Sequence, residues 1–385
     1  MKNNGIVAQI GMDAHRRFSM VTARDAEGRI LWRERLRHEN RELLRAALAA
    51  WPKGVPVVLE ATFGWGWLSD EVAAAGLEPH LASSTKVAAW RKARGLAKSD
   101  RLDSDLFTEL PMRLDQRWWE VWLAPPVVRQ QREWLRYRMT LVRLQTGLKN
   151  RVHAVLHRHG IVSEQSDLFG AAGRRMLSLL LGARDPRLPD SARAALKGYL
   201  QLLDHLRRQI AQVTRELRRQ LQRSPAGERL RTIPGIGWIL AYTILAEIGQ
   251  LERFRSFRHL ASYSLLAPRA YDSGQEAHED SPRGRHVGYV GRRTLKWAWI
   301  EAAHSAVRHG GRFREIYDRR TNHGRRDRSR GLIAVAHELC RLGFVVWKKG
   351  VAYQDSPPLR PGSVAKDRSS CPGTGQPDVA MVVAE

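Results

Sequence analysis

Four carboxylates and one serine are the residues of this chain whose types and spacing suggest chemistry. Asp13 lies three residues past the apolar run Ile6–Ile10, and Glu60 follows the Val-rich run Val55–Leu59 directly. Each falls near the C-terminal end of a strand of the buried kind. If the two strands are neighbours, the acids converge at one sheet edge, where α/β folds place their sites. Asp100 and Asp103, in Ala97-Lys-Ser-Asp-Arg-Leu-Asp103, are one helical turn apart and share a helix face. Four carboxylates meeting in a chain so poor in acid would repel one another unless cations neutralise them. Hard oxygen ligands suit Mg²⁺, and a pair of such ions can activate a nucleophile and stabilise a leaving oxygen in phosphodiester chemistry. Taken singly, each acid also has an ordinary reading: Asp13 terminates a strand, Glu60 pairs an arginine, Asp100 and Asp103 cap a helix or sit solvated.

Ser273 precedes Gly274 at the end of a loop-like stretch, and Arg283, Arg285, Arg292 and Arg293 follow within 20 residues. A serine hydroxyl attacks a phosphodiester only when its proton is removed and the developing charge meets cations, which arginines and metal ions could supply. The bland alternative is a serine that closes a turn. Upstream, Pro234-Gly-Ile-Gly237 stands between two apolar helical stretches. Gly235 and Gly237 would let such a helix–hairpin–helix approach phosphate oxygens, with the amides of the next helix aimed at them. That grip holds a nucleic-acid backbone without reading bases; a turn used only for packing is the other reading.

These residues need elements to position them. From Gly5 to about Gly95 short strands and helices alternate as β-β-β-α-β-α-β-α, with strands at Phe18–Ala23, Ile30–Leu36 and Pro79–Ala82 besides the two above. The fold class expected is α/β plus all-α, opening with a mixed sheet of the RuvC-like, or ribonuclease-H-like, kind. In the middle, Trp134, Tyr137, Leu141, Leu144, Leu148 and Val155 keep a heptad rhythm interrupted at Arg151. A second run is Leu196, Tyr199, Leu203, Leu206, Ile210, Val213 and Leu217. Two long coiled-coil helices are predicted, joined by the segment from Gly160 to Pro189, as an antiparallel hairpin or between protomers. A mostly helical C-terminal region follows. The division expected is residues 1–125 for the sheet domain, 126–225 for the coiled coil, 226–350 for the serine-bearing domain and 351–385 for a disordered tail.

Composition narrows the partner. The chain has 385 residues with 65 Lys+Arg against 39 Asp+Glu, a formal charge of +26 that calls for a polyanion. Two cysteines, Cys340 and Cys371, make neither a disulfide framework nor a Cys-based zinc site and suit a reducing, cytoplasmic setting. The N-terminus reads as neither signal peptide nor spanning helix, so no membrane is expected. His153 and His157 have metal-face spacing but no third ligand, so with His159 they read as solvated or RNA-facing. Trp118, Trp119 and Trp122 read as packing rather than base-stacking residues. No Gly-x4-Gly-Lys-Ser/Thr loop supports ATP dependence.

Together, Gly11-Met-Asp13, Leu59-Glu-Ala-Thr62, Ala97 to Asp103, Ile233-Pro-Gly-Ile-Gly237, Ala246-Glu-Ile-Gly249 and Leu266 to Gly274 resemble the insertion sequence 110 family of transposases, over residues 5–309. The resemblance implies a RuvC-like domain with an Asp-Glu-Asp-Asp tetrad at Asp13, Glu60, Asp100 and Asp103, a coiled-coil middle, and a transposase domain with nucleophilic Ser273. It further implies Mg²⁺, donor and target DNA, a structured guide RNA encoded by the element, and a homo-oligomer. A covalent phosphoserine intermediate in a DNA recombinase is the activity expected, located in the cytoplasm and at the nucleoid when DNA-bound. The chain departs from the family pattern at Ser104, where alanine is usual, at Asp272, where serine is common, and at Tyr289, where lysine usually stands. Two rivals are a Holliday-junction-type nuclease in which Ser273 is structural, and a non-enzymatic nucleic-acid-binding protein.

Overall fold

A computed structural model of the chain describes residues 6–97, 100–110, 119–182, 185–267, 291–325 and 327–355. The chain divides into two compact units, residues 1–133 and 134–385.

The first unit is built on one five-stranded sheet. Its elements are β1 (Gln9–Ala14), β2 (Phe18–Arg24), β3 (Ile30–Arg37), α1 (Arg41–Ala49), β4 (Pro56–Glu60), α2 (Trp65–Ala74), β5 (Glu78–Ala82), α3 (Ser84–Ala93) and α4 (Asp100–Glu109). The order is the one expected, and the sheet runs β3-β2-β1-β4-β5. The first three strands form an antiparallel meander, and β1, β4 and β5 are parallel. A mixed sheet of this order fits the ribonuclease-H-like expectation. Strand β1 is displaced from the apolar run read as a strand: it extends through Ala14, so Asp13 lies inside it, paired with Met20. The β1–β2 hairpin causes this, since its ladder continues to Ala14 and Ser19 and closes with His15 N donating to Phe18 O at 2.8 Å.

Strand alternation splits the core in two. Ile10, Met12, Val57 and Leu59 face one side and pack with Leu44, Leu48, Leu68 and Val72 of α1 and α2. Val58 and Ala82 face the other and pack with Leu106, Phe107, Leu110 and Trp119. Trp119 is fully buried, as its packing role requires. Helix α1 starts at Asn40, whose side chain accepts from the amides of Glu42 and Leu43. It is tied to α2 by Arg41 and Arg45, which both reach Glu71 at 2.7 Å.

The second unit is helical among its described residues. Helix α5 (Pro126–Arg158) contains the boundary between units; α6 (Ala171–Gly182), α7 (Asp190–Gln222), α8 (Pro225–Leu230), α9 (Trp238–Ile248) and α10 (Phe257–Tyr263) follow. The last are α11 (Arg293–His309), α12 (Gly311–Thr321) and α13 (Arg328–Lys349). Helices α5 and α7 each have 33 residues. They are antiparallel: Leu135 and Leu141 share a cluster with Val213 and Leu217, whereas Val152 and Leu156 share one with Leu196 and Leu203. The α7 seam packs as read, whereas on α5 only Leu141, Leu148 and Val155 of the predicted seam pack against the clusters. Leu135, Val152 and Leu156 are buried, and Trp134, Tyr137 and Leu144 are exposed. A helix of 3.6 residues per turn drifts by about 20° per heptad, which carries a strict seven-residue pattern off the contact line.

The segment between them is not mere connection. Its helix α6 inserts Leu177 and Leu180 into the same cluster, with Gly173 against the Leu168 backbone. The described start of the expected tail, residues 351–355, is also anchored, since Tyr353 N donates to Thr232 Oγ1 at 2.7 Å. The rest of the expected disordered tail lies outside the described residues. No helix among the described residues is long and apolar enough to cross a membrane.

Candidate active site

Asp13 and Glu60 are brought together by the sheet. In the parallel pair of β1 and β4 the register places Met12 beside Leu59, so the next residues, Asp13 and Glu60, stand level on adjoining strands. Alternation turns both acids to the face that also carries Gly11 and Val58, the face covered by α4. Asp13 is buried in this position, and its Oδ2 lies 3.1 Å from His15 Nε2. Glu60 is half-buried at the end of β4.

Helix α4 carries the other two acids and sits directly on β1. A Cβ on Gly11 would run into the carbonyl oxygen of Ser104 and come within 2.7 Å of Thr108 N. Glycine at position 11 is therefore what lets α4 approach the strand. Side chains fix the helix: Thr22 of β2 lies 3.0 Å from Ser104 Oγ and donates to Asp105 Oδ1 at 2.8 Å, and Arg33 of β3 pairs with the same carboxylate. Thr22, Arg33 and Asp105 were missed in the sequence; the available signal was a polar Thr22 at a fully buried strand position. The hydroxyl of Ser104 is accommodated under the sheet because Thr22 shares a hydrogen bond with it.

The third acid has a cation already. Asp103 Oδ1 lies 2.7 Å from Arg91 Nη1, on α3. Asp100 opens α4, and its side chain lies outside the described residues. Among the described residues, no three Asp, Glu, His or Cys side chains form a group that could hold a metal ion. The donor chemistry of Asp13 and Glu60 suits a hard divalent cation. Completing the set would require Asp103 to exchange Arg91 for it.

In the second unit the predicted phosphate-binding residues separate. Gly235 has φ +88°, and its α-carbon faces α11, where a Cβ would strike Ala302 O and approach Ala306 N to 2.8 Å. Packing therefore explains that glycine. Gly237 is exposed with open space around it and precedes α9 with no side-chain cap, so its end of the turn is the accessible one. Arg292 is turned inward: its Nε donates to Tyr263 Oη at 2.9 Å and lies 3.8 Å from buried Glu247. This contact explains the acid of Ala246-Glu-Ile-Gly249, since burial lowers the basicity of Arg292 but Tyr263 and Glu247 more than restore it. Arg293 is exposed. Ser273, Arg283 and Arg285, with Asp272 and Tyr289, lie outside the described residues.

The chain on either side of that stretch is held together. Arg292 N donates to Tyr263 O at 3.1 Å, and Gly291 packs on Leu265. Beside it, Leu266 lines a cavity of about 690 Å³ with Arg319, Arg320, Arg330 and His337. The sequence signal for these three arginines was the basic run from Arg319 to Arg330. Cys340 is fully buried, which pushes its thiol up to about 12 and makes it inert. His153 packs edge-on to Phe169, with ring centres 5.4 Å apart.

Comparison with known proteins accounts for both units. The DEDD transposase family of IS110 elements matches residues 10–161, and the transposase IS116/IS110/IS902 family matches residues 227–318. The transposase for insertion sequence element IS1328 of Yersinia enterocolitica is 26% identical over 270 residues, covering 70% of this chain and 76% of that one. A probable family 20 transposase of Pseudomonas aeruginosa is 24% identical, covering 78% and 85% respectively. The transposase for insertion sequence element IS1111A of Coxiella burnetii is 24% identical, covering 69% and 70%. One match covers the sheet that aligns Asp13 with Glu60 and the other the helices around Pro234–Gly237, and the chain accordingly belongs to the IS110 family of transposases.

Proposed function

We propose that this transposase exchanges DNA strands at the ends of an insertion sequence, with Ser273 as nucleophile and Asp13, Glu60, Asp100 and Asp103 as the carboxylates that hold Mg²⁺. The observation that carries the reading is the level placement of Asp13 and Glu60 on parallel strands, under the helix that bears the other two acids. Bound there, Mg²⁺ would neutralise the acids and polarise a phosphodiester. The chain's own contribution is positional. Gly11, Thr22 and Arg33 hold α4 against β1, and Arg91 occupies Asp103 until it is displaced.

In the chemical step the Ser273 oxygen forms a bond to phosphorus and the bond to one strand's oxygen breaks, that oxygen taking the serine proton. Attack by the hydroxyl of a second strand on the same phosphorus completes the exchange: the serine–phosphorus bond breaks and the serine oxygen takes that hydroxyl's proton. The phosphodiester is conserved throughout, so the reaction draws on no nucleotide. Guide RNA and DNA are the polyanions for the charge of +26. The C-terminal helices would hold backbone at Gly237, Arg293 and the cavity of Arg319, Arg320 and Arg330. Exposed Trp134, Tyr137 and Leu144 on α5 and Leu202 on α7 support association of copies through the long helices.

The test is to incubate labelled element-end DNA with the protein, its RNA and Mg²⁺, then denature. Protein-linked DNA is expected from the wild type and none from Ser273→Ala, and strand exchange by Asp13→Asn/Glu60→Gln should fall more than about a hundredfold. Recombination at the wild-type level by Ser273→Ala would overturn the serine step.

A further inference from the structure

The arginines of the first unit are not used alike. Among its described residues, eight of them, from Arg24 to Arg129, have a carboxylate partner on the same unit. Arg132 lies over the Trp122 ring. Setting aside Arg101, whose side chain lies outside the described residues, the four that remain, Arg16, Arg17, Arg35 and Arg37, have no carboxylate partner among the described residues, are all exposed, and all line a single cavity of about 630 Å³.

The fold gathers them deliberately close. Arg16 and Arg17 form the turn between β1 and β2. Arg35 and Arg37 alternate on β3 and so project from the same face, with Arg37 paired in register with Phe18. A hydrogen bond from His38 N to Arg17 O, at 2.8 Å, ties the turn to the end of β3. The Arg35 guanidinium rests over the Phe18 ring, 3.5 Å from its centre, and the His15 ring stacks on Phe18 at 4.6 Å. Glu39 also lines the cavity, which leaves one acid facing four guanidiniums. Eight other described arginines of this unit face a carboxylate; here four stand together with one acid, an arrangement that favours an anion with several charges along its length. Guanidiniums match phosphate oxygens in pairs, and successive phosphates of a backbone satisfy such a row.

The cavity also adjoins the proposed catalytic edge. His15 forms part of its wall and places Nε2 3.1 Å from Asp13 Oδ2. We propose that the cavity of Arg16, Arg17, Arg35 and Arg37 is a clamp for the phosphodiester backbone of the DNA strand that is presented to Asp13 and Glu60. The position of the clamp relative to the chemistry rests on the function proposed above; its character as a backbone-binding site rests on the arginines alone.

The experiment compares full-length wild type with Arg16→Gln/Arg17→Gln, Arg35→Gln/Arg37→Gln and Arg29→Gln, the last removing an arginine paired with Asp25 elsewhere on the unit. Binding of a labelled element-end DNA and of a labelled RNA of equal length is measured over a salt series, with thermal melting as the folding control. Each double variant should keep its melting temperature, lose about tenfold in DNA affinity and lower the salt slope by about 2, while Arg29→Gln binds as wild type. Unchanged DNA binding by both double variants overturns the proposal, as does an equal loss in Arg29→Gln, which would reduce the effect to net charge. Loss of RNA binding with DNA binding intact also overturns it. The two readings fail separately: normal strand exchange by Asp13→Asn/Glu60→Gln would sink the carboxylate site while leaving a clamp defect visible in binding. Wild-type DNA binding by the double variants would sink the clamp alone.

Discussion

At the scale of single residues, the placement of α4 depends on the absence of a side chain at Gly11. A methyl group there meets backbone of Ser104 and Thr108, neither of which can rotate away as a side-chain tip would. Gly11→Ala should destabilise the first unit by about 1–3 kcal/mol and, by moving the helix that carries Asp103, reduce strand exchange more than it reduces DNA binding. Thermal melting and paired binding and exchange assays check this; a melting temperature and exchange rate equal to wild type would show that α4 is not set by this contact. Neighbouring residues show how far type and spacing reach. Asp13 and Glu60 were recognisable because acids rarely end buried strands without purpose. Arg91 was not, because its pairing with Asp103 joins two helices whose relative placement no local pattern specifies.

At the scale of elements, α1 and α2 are joined through a single carboxylate. Hydrogen bonds from Arg45 first, and from Arg41, hold Glu71 below the ordinary glutamate value of 4.5 against the opposing effect of burial. A depressed value in the folded state means that the pair stabilises fully above the unfolded value and is lost as pH falls through the folded one. Glu71→Gln should therefore lower the melting temperature near neutrality and flatten its decline below about pH 4.5. Melting curves across that range decide it, and parallel wild-type and variant profiles would count against the linkage. The order of strands and helices along the first unit was legible from alternation and periodicity, which act within a few residues. The burial of Leu135, Val152 and Leu156 on α5 was not, because the heptad reading assumed a supercoil, whereas packing against the rest of the fold, α7 included, decided which residues are buried.

At the scale of the whole molecule, 65 basic residues stand against 39 acidic ones, and among the described residues some of the arginines line cavities on each unit. A protein that holds nucleic acid at six to ten phosphates loses about 10³–10⁵ in affinity between 50 and 200 mM salt. A decline of that size is expected here with element-end DNA, measured by titration at several salt concentrations; a nearly flat dependence would mean that the charge serves another purpose. Sequence alone pointed to a polyanionic partner, to a mixed sheet at the start, to two long helices after it, and to Asp13 and Glu60 near the ends of apolar strands; that those strands adjoin came from the structure. The former follow from charge, periodicity and residue type, which are local or additive. Only the tertiary structure decided that Gly235 serves packing while Gly237 stays open, that Arg292 turns inward to Glu247, and that Arg16, Arg17, Arg35 and Arg37 share one cavity. Each of those outcomes depends on which surfaces meet across long stretches of chain, and a side chain's partners, more than its type, decide whether its charge is free to act.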